Sequence, residues 1–124
     1  MLHLIKNLSL LLFVPFILLG QVDYNTEIQP IFNNNCGNCH IGNSSGGVNL
    51  SSYQNVMNSD VIVPFNADDS ELYDRITEDN GEGDDMPPGS PELSDTQISL
   101  IEDWINEGAL ETPASNDVVI TFQV

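Results

Sequence analysis

The chain has 124 residues, which is enough for one domain and leaves little room for a second. It carries 19 acidic residues against two basic ones, so its formal net charge is −17. With so few basic side chains to neutralise phosphates, a nucleic-acid partner is excluded. An acidic surface favours solubility, a protein partner with a basic docking surface or the binding of divalent cations, and the alternative is a solvated surface suited to a salty environment.

The first twenty residues differ in composition from the rest. Lys6 precedes a mainly apolar run at residues 8–19, which Gly20 ends. This pattern predicts a signal peptide at residues 1–20, because the run is shorter than the roughly 20 apolar residues of a membrane span. An uncleaved N-terminal anchor is the alternative. We therefore expect an exported, periplasmic or extracytoplasmic protein with no stable membrane span after cleavage, and Arg75 as its only basic residue.

The first predicted helix lies at residues 24–33, where three apolar residues share one helical face. Pro30 lies inside this stretch, so the helix is expected to be broken or to start late. Asp23 or Asn25 can cap its start. Residues 33–49 are rich in Asn, Gly and Ser, which predicts one turn at the cysteines followed by a wrapping loop.

Two further short helices are predicted in the middle of the chain. Residues 50–57 form one, capped by Ser51 or Ser52, and residues 69–77 form another, capped by Ser70. The next segment, up to residue 92, is too rich in Gly, Pro and acidic residues for regular structure. Its acidic part could bind calcium, although the spacing does not match an EF-hand.

The strongest helix is predicted at residues 93–109, with Ser94 or Asp95 as its cap and Gly108 at its end. One apolar face follows its helical period. The tail at residues 117–124 has strand propensity but no predicted partner strand. Four short helices with few large apolar residues make a thin core, which leaves room for another group inside.

Both cysteines lie in the sequence CGNCH, where Cys36 and Cys39 are followed directly by His40. Such a pair can serve a zinc site, a redox disulfide or covalent haem. A structural zinc site needs four ligands, and residues 21–124 offer two Cys and one His. A redox disulfide typically follows a strand in a βαβ unit, which is not predicted here.

The third chemistry fits the order of all three residues. Cys-x-x-Cys-His is the attachment signature of c-type haem, in which two thiols form thioethers with the porphyrin vinyl groups. The histidine then lies under the iron as its proximal ligand. Cys36, Cys39 and His40 are therefore the predicted attachment residues for one covalent haem c.

Methionines are the candidates for the other axial position. His40 is the only histidine after the predicted signal peptide, and no lysine remains there. Met57 ends a helical pattern and is predicted to pack in the core. Met86 lies in the loop DDMPPG, where two prolines restrict the backbone, and is the predicted distal ligand, although either methionine is a candidate. A His/Met pair raises the reduction potential.

At this point residues 24–109 resemble a small class I-type cytochrome c, closest to the planctomycete-type cytochrome c domains. The resemblance rests on IQPIFNNNCGNCH, GGVNLSSYQNVM, SELYDRI, MPPG and LSDTQISLIEDWINEGA. It implies an all-α, cytochrome c-like fold of about four short helices wrapped around one covalently bound haem, with the first and last helices packed together. It also implies Cys36, Cys39, His40 and Met86 as the haem-binding residues. The family tends to have glycine where Phe65 stands here.

Two other residues are weaker candidates for haem contact. Trp104 could pack against the haem or donate its indole N–H to a propionate, or it could be a core aromatic of the last helix. Arg75 is the sole cation available to a propionate, or it could form a surface ion pair with a neighbouring carboxylate.

The sequence thus predicts a signal peptide at 1–20, a monohaem cytochrome c domain at 21–111 and a tail of unknown role at 112–124. The predicted function is single-electron transfer between redox partners, without catalysis. Two alternatives stay open: a five-coordinate haem protein with peroxidase-like activity, and a haem-free thiol-redox or binding module.

Overall fold

The computed structural model describes residues 20–78, 85–89 and 91–114. The predicted signal peptide, the centre of the acidic loop and the end of the tail lie outside these residues. Five α-helices follow one another: α1 (Gln29–Asn35), α2 (Gly37–His40), α3 (Tyr53–Asn58), α4 (Glu71–Thr77) and α5 (Asp95–Asn106). A π-helical segment, Tyr24–Ile28, precedes α1, and a 3₁₀ turn, Ser45–Gly47, follows α2.

The described residues contain no strand, which confirms the all-α prediction. The additional helix beyond the expected four is α2, the single turn that the sequence predicts at the cysteines. None of the helices in the described part of the chain is long and apolar enough to span a membrane.

The first helix starts late, as Pro30 predicts. Asp23 caps the segment, since its carboxylate accepts a hydrogen bond from the backbone N–H of Thr26 at 2.9 Å. The π-helical turns run to Ile28, and regular α-helix begins at Gln29, which places Pro30 in the first turn. Pro is tolerated there because its missing N–H has no partner inside the helix.

The last helix, α5, is capped by Ser94, one of the two predicted caps, and the cap is reciprocal. The Ser94 hydroxyl accepts from the N–H of Gln97 at 3.3 Å, and the Gln97 side chain accepts from the N–H of Ser94 at 3.0 Å. The chain leaves the helix at Gly108, whose φ of 111° lies in the region that favours glycine.

Ser52 caps α3 as predicted, whereas Ser70 does not cap α4 with its side chain. The Ser70 hydroxyl instead accepts from the N–H of Val63 at 2.9 Å and donates to the carbonyl of Asn66 at 2.8 Å. This buried serine thus ties the loop before α4 to the start of the helix. The backbone groups of Val63 and Asn66 in this loop have no helical partner, and the buried hydroxyl of Ser70 forms hydrogen bonds with them.

An aromatic cluster holds the first and last helical segments together. Tyr24 is fully buried, and its ring centroid lies 5.3 Å from that of Trp104 on α5 and 5.2 Å from that of Tyr53 on α3. The Tyr24 hydroxyl donates to the side chain of Gln29 at 2.6 Å. Aromatic pairs at these distances stabilise by about 0.5–1.5 kcal/mol each beyond area burial. Packing of the first and last helices is therefore present, as the resemblance implies.

Burial of Tyr24 should make the protein sensitive to alkali. Burial, with the nearby charge of Glu111 as a smaller cause, raises the pKa of the Tyr24 phenol well above 10. The native state then holds the phenol proton more tightly than the unfolded state. The contribution of Tyr24 to the free energy of unfolding is therefore complete below pH 10 and declines above it. We expect the free energy of unfolding to fall by up to about 1.4 kcal/mol per pH unit above pH 10.

Denaturant titrations followed by circular dichroism between pH 7 and 11 measure this slope. Tyr24→Phe should flatten it, at a cost of about 1 kcal/mol at pH 7 for the lost hydrogen bond to Gln29. An unchanged slope in Tyr24→Phe would assign the alkaline transition to another group.

Phe65 has an unusual backbone conformation beside the end of α5. Its φ is 67°, in the left-handed region that a bulky residue rarely adopts. Its N–H donates to the carbonyl of Ile105 at 2.8 Å, and its ring covers Gly108 so closely that a Cβ there would lie 2.6 Å from the ring. Such a conformation favours glycine, which is the residue that the resemblance implies at this position.

Candidate functional site

Cys36 lies at the junction of two helices. Its N–H donates to the carbonyl of Phe32 at 2.8 Å and so ends α1, while its own carbonyl accepts from the N–H of His40 at 3.0 Å and so begins α2. The backbone of the helices on both sides therefore fixes Cys36. Cys36 is half-buried and Cys39 is exposed, and both are free thiols.

The loop after α2 orients His40. The ring Nδ1 of His40 lies 2.9 Å from the carbonyl oxygen of Val48, and the His40 carbonyl accepts from the N–H of Leu50 at 2.8 Å. A carbonyl can only accept, so Nδ1 carries the hydrogen, and Nε2 of the neutral ring is left with its lone pair. This is the arrangement that a metal-binding histidine generally has.

The sequence identifies His40 but not its partner Val48. The loop reaches the ring by turning at Gly46 and Gly47, whose φ values are 63° and 82°. The glycine pair in this segment is the signal for a tight return of the chain. It does not indicate which carbonyl the turn presents.

Met86 is held by the backbone of α4. Its N–H donates to the carbonyl of Arg75 at 2.9 Å, and the Met86–Pro87 peptide bond is cis. The described residues thus hold one end of the DDMPPG loop at a fixed position relative to α4.

Two adjoining cavities bring these residues together. The outer cavity, of about 430 Å³, is lined by the α1–α2 junction and by Met86, Pro87 and Pro88. The inner cavity, of about 190 Å³, is mainly apolar, with buried side chains from α1, α4, α5 and the loops between helices: Phe32, Leu50, Val61, Leu72, Leu93 and Ile101. Cys36, His40 and Met86 line both cavities. We call the two cavities together the crevice.

The donor set of the crevice fits a haem and not a structural zinc ion. A thiol, an imidazole with a lone pair on Nε2 and a thioether surround a space whose inner part is apolar, as a porphyrin requires. Among the described residues, no group of three or more His, Cys, Asp or Glu side chains is placed to hold a metal ion.

Arg75 lies at the edge of the inner cavity and Trp104 lines neither cavity. Arg75 forms an ion pair with Glu71 at 3.2 Å, one helical turn away, and the Arg75 side chain is partly exposed. Trp104 is 1% exposed, and its indole N–H donates to the carbonyl of Leu110 at 2.8 Å. The structure therefore does not place Trp104 for haem contact. Its N–H is used to hold the chain after α5, as expected of a core aromatic.

The second methionine is also outside the crevice. Met57 is partly buried and packs against the hydrophobic core, and it lines neither cavity. Of the two methionines that the sequence leaves as candidates, only Met86 shares a cavity with His40.

The electrostatic field beside Met86 is negative. The pKa of Glu78, just after α4, is raised mainly because the charge of Asp74 is close, and Asp85 contributes further. The neighbouring negative charges disfavour ionisation of Glu78, and the region attracts cations and basic groups.

The difference in burial predicts different reactivities for the thiols of Cys36 and Cys39. Burial, with the nearby Cys39 as a smaller cause, raises the pKa of the Cys36 thiol to about 11. At pH 8 the reactive thiolate of Cys36 should then be on the order of one part in a thousand. In reduced protein made without haem, we expect iodoacetamide to alkylate the exposed Cys39 well before Cys36.

Peptide mass spectrometry of timed samples measures the two alkylation rates. Protein unfolded in guanidinium is the control, in which the preference should disappear. Equal rates in the folded protein would contradict the difference in burial.

Comparison with known proteins agrees with the geometry of the crevice. Residues 36–90 match the family described as Planctomycete cytochrome C. The matched segment begins at Cys36 and includes both His40 and Met86. No curated protein and no solved structure matches the chain. The resemblance seen in the sequence is therefore confirmed over residues 36–90, which are similar to the planctomycete cytochrome C family and lie within an all-α chain.

Proposed function

We propose that this protein is an exported c-type cytochrome with one covalent haem, which carries single electrons between redox partners. The observation that supports this most directly is that Cys36, His40 and Met86 line both cavities of the crevice. These are the residue types that attach and ligate haem c, and the matched family consists of cytochromes.

Each residue of the crevice has a distinct task in this proposal. The thiols of Cys36 and Cys39 add across the two vinyl groups, so each forms a thioether without net oxidation. His40 offers Nε2 to the iron, because Val48 holds Nδ1. Met86 would hold the iron through its thioether, and Arg75, which also lines the inner cavity, would be the cation available to a propionate. Bound haem supplies a reversible one-electron couple.

The inner cavity explains how the protein would tune that couple. Its buried apolar side chains exclude water from one side of the site. A low local dielectric and a methionine ligand both favour the reduced state and raise the potential. With two axial ligands from the chain, no position is left for oxygen or peroxide.

The acidic surface supports a basic redox partner. Beyond residue 20 the chain has 19 acidic residues and one basic residue. Such a charge steers a basic partner over a distance set by the Debye length, about 8 Å at physiological salt. We therefore propose docking through electrostatic attraction that weakens as salt is added.

Redox titration of the protein produced with haem-attachment machinery tests this function. We expect a reversible one-electron transition, one haem per chain, little binding of carbon monoxide and no turnover of peroxide. Stoichiometric carbon monoxide binding with peroxide turnover would establish the five-coordinate, peroxidase-like alternative. Electron-transfer rates with a basic partner that do not change with ionic strength would contradict the docking.

A further inference from the structure

A second surface of the molecule has features that electron transfer at the crevice does not explain. The large apolar side chains that are exposed among the described residues are Val63 at 41%, Phe65 at 72% and Leu110 at 39%. Phe65 contacts Gly108 at the end of α5, and Leu110 follows two residues later. We call these three residues the Phe65 patch. None of them lines the crevice.

Phe65 is both exposed and rigid. The distal end of its ring lies against Gly108, and its N–H is bonded to the carbonyl of Ile105 at 2.8 Å. Its backbone φ of 67° costs about 1–2 kcal/mol for a residue with a Cβ. A residue that stays exposed in a costly conformation points to a function outside the folding of this chain. Rigid aromatic side chains are the usual anchors of protein interfaces.

The charges around the Phe65 patch indicate what kind of surface it fits. Asp68 and Asp69 are exposed in the same loop, and the carboxylate of Asp69 accepts from the side chain of Asn66 at 2.7 Å. Glu107 and Glu111 flank Gly108 and Leu110. The one basic side chain in the described part of the chain, Arg75, pairs with Glu71 on α4. A second copy of this chain would therefore bring like charges together.

We propose that the Phe65 patch is a docking site for a protein whose surface has an apolar recess ringed by Lys and Arg. Phe65 would fill the recess as the anchor, and the surrounding carboxylates would pair with the basic ring. None of its residues lines the crevice, so a partner there would not occupy the residues proposed to hold haem. This inference does not depend on the presence of haem.

A synthetic amphipathic peptide of Leu and Lys is a suitable probe, with a peptide of equal charge in which Ser replaces Leu as its control. The ¹⁵N-labelled full chain is produced with haem-attachment machinery and chemically reduced. Each peptide is then titrated into it, and binding is measured from the amide chemical shifts of the protein. We expect saturable shifts centred on Phe65, Asn66 and Gly108. The Ser/Lys peptide should bind at least tenfold more weakly.

Three variants separate the anchor from general electrostatics. Phe65→Gly should fold, because glycine accepts the positive φ, and it should weaken Leu/Lys binding at least tenfold without changing haem absorption. Asp69→Asn should weaken binding a few-fold. Asp95→Asn removes the same charge at the opposite end of α5 and should leave binding unchanged.

Three outcomes would overturn the proposal. If the peptide shifts mainly the amide signals of α4, and Phe65→Gly does not change this, the peptide binds by charge attraction alone. Self-association in analytical ultracentrifugation that Phe65→Gly abolishes would show a second copy as the occupant. Tenfold tighter peptide binding by a chain ending at Ala114 would show that residues 115–124 occupy the patch. A change in haem content alone would bear on the proposed function and not on this surface.

Discussion

Replacing both Cys36 and Cys39 with serine is expected to abolish covalent haem attachment completely. Serine matches cysteine in shape but its hydroxyl does not form the thioether. Haem should be lost from the denatured protein in acid acetone, and the pyridine haemochrome of the polypeptide should disappear. Because Cys36 holds the α1–α2 junction through its backbone and not its side chain, we expect the helices themselves to remain.

The single variants provide the control for this experiment. Cys39→Ser should leave one thioether through Cys36, with a shifted haemochrome band that reports one unreacted vinyl group. Covalent haem that survives the double substitution would contradict the proposed attachment. Absence of haem from the unmodified chain, produced with attachment machinery, would instead establish the haem-free thiol module.

Replacing Met86 with alanine is expected to remove the distal ligand and leave a five-coordinate or water-ligated iron. The far-red charge-transfer band of ferric haem with methionine ligation should disappear. The reduction potential should fall by at least roughly 0.1 V, within the range of about 0.8 V that axial ligands span. Carbon monoxide should then bind readily. Absorption spectra and potentiometric titration measure these changes.

Met57→Ala is the matched control, because it removes the same side chain from a position outside the crevice. It should lower stability by about 0.5–3 kcal/mol, because Met57 is only partly buried, while the far-red band and the potential stay unchanged. A far-red band that survives Met86→Ala, or one that Met57→Ala removes, would show that the distal ligand is assigned wrongly.

The sequence predicts most of the helical framework because local signals determine it. Pro30 delays regular helix until Gln29, and Ser94 with Gln97 forms a reciprocal cap. These effects act within four residues and need no knowledge of the fold. The order Cys36, Cys39, His40 is equally local, which is why the haem signature can be read directly.

Features that depend on contacts between distant segments could not be predicted in the same way. Trp104 is a plausible haem neighbour from its helical position, yet its N–H is bonded to Leu110 and its side chain lines neither cavity of the crevice. Ser70 precedes a helix as a cap would, but the unpaired backbone of Val63 competes for its hydroxyl. Long-range hydrogen bonds of this kind leave no periodic pattern in the sequence.

The loop around His40 has a thermodynamic consequence. The same short loop binds both the ring, through Val48, and the backbone carbonyl, through the N–H of Leu50. The rotational freedom of the imidazole is thus given up during folding, so ligand binding does not have to supply that ordering entropy. Affinity for the ligand and order of the loop are then linked equilibria. A substitution that loosens the glycine turn should weaken metal ligation without touching a ligand, and a bound ligand should in turn stabilise the loop.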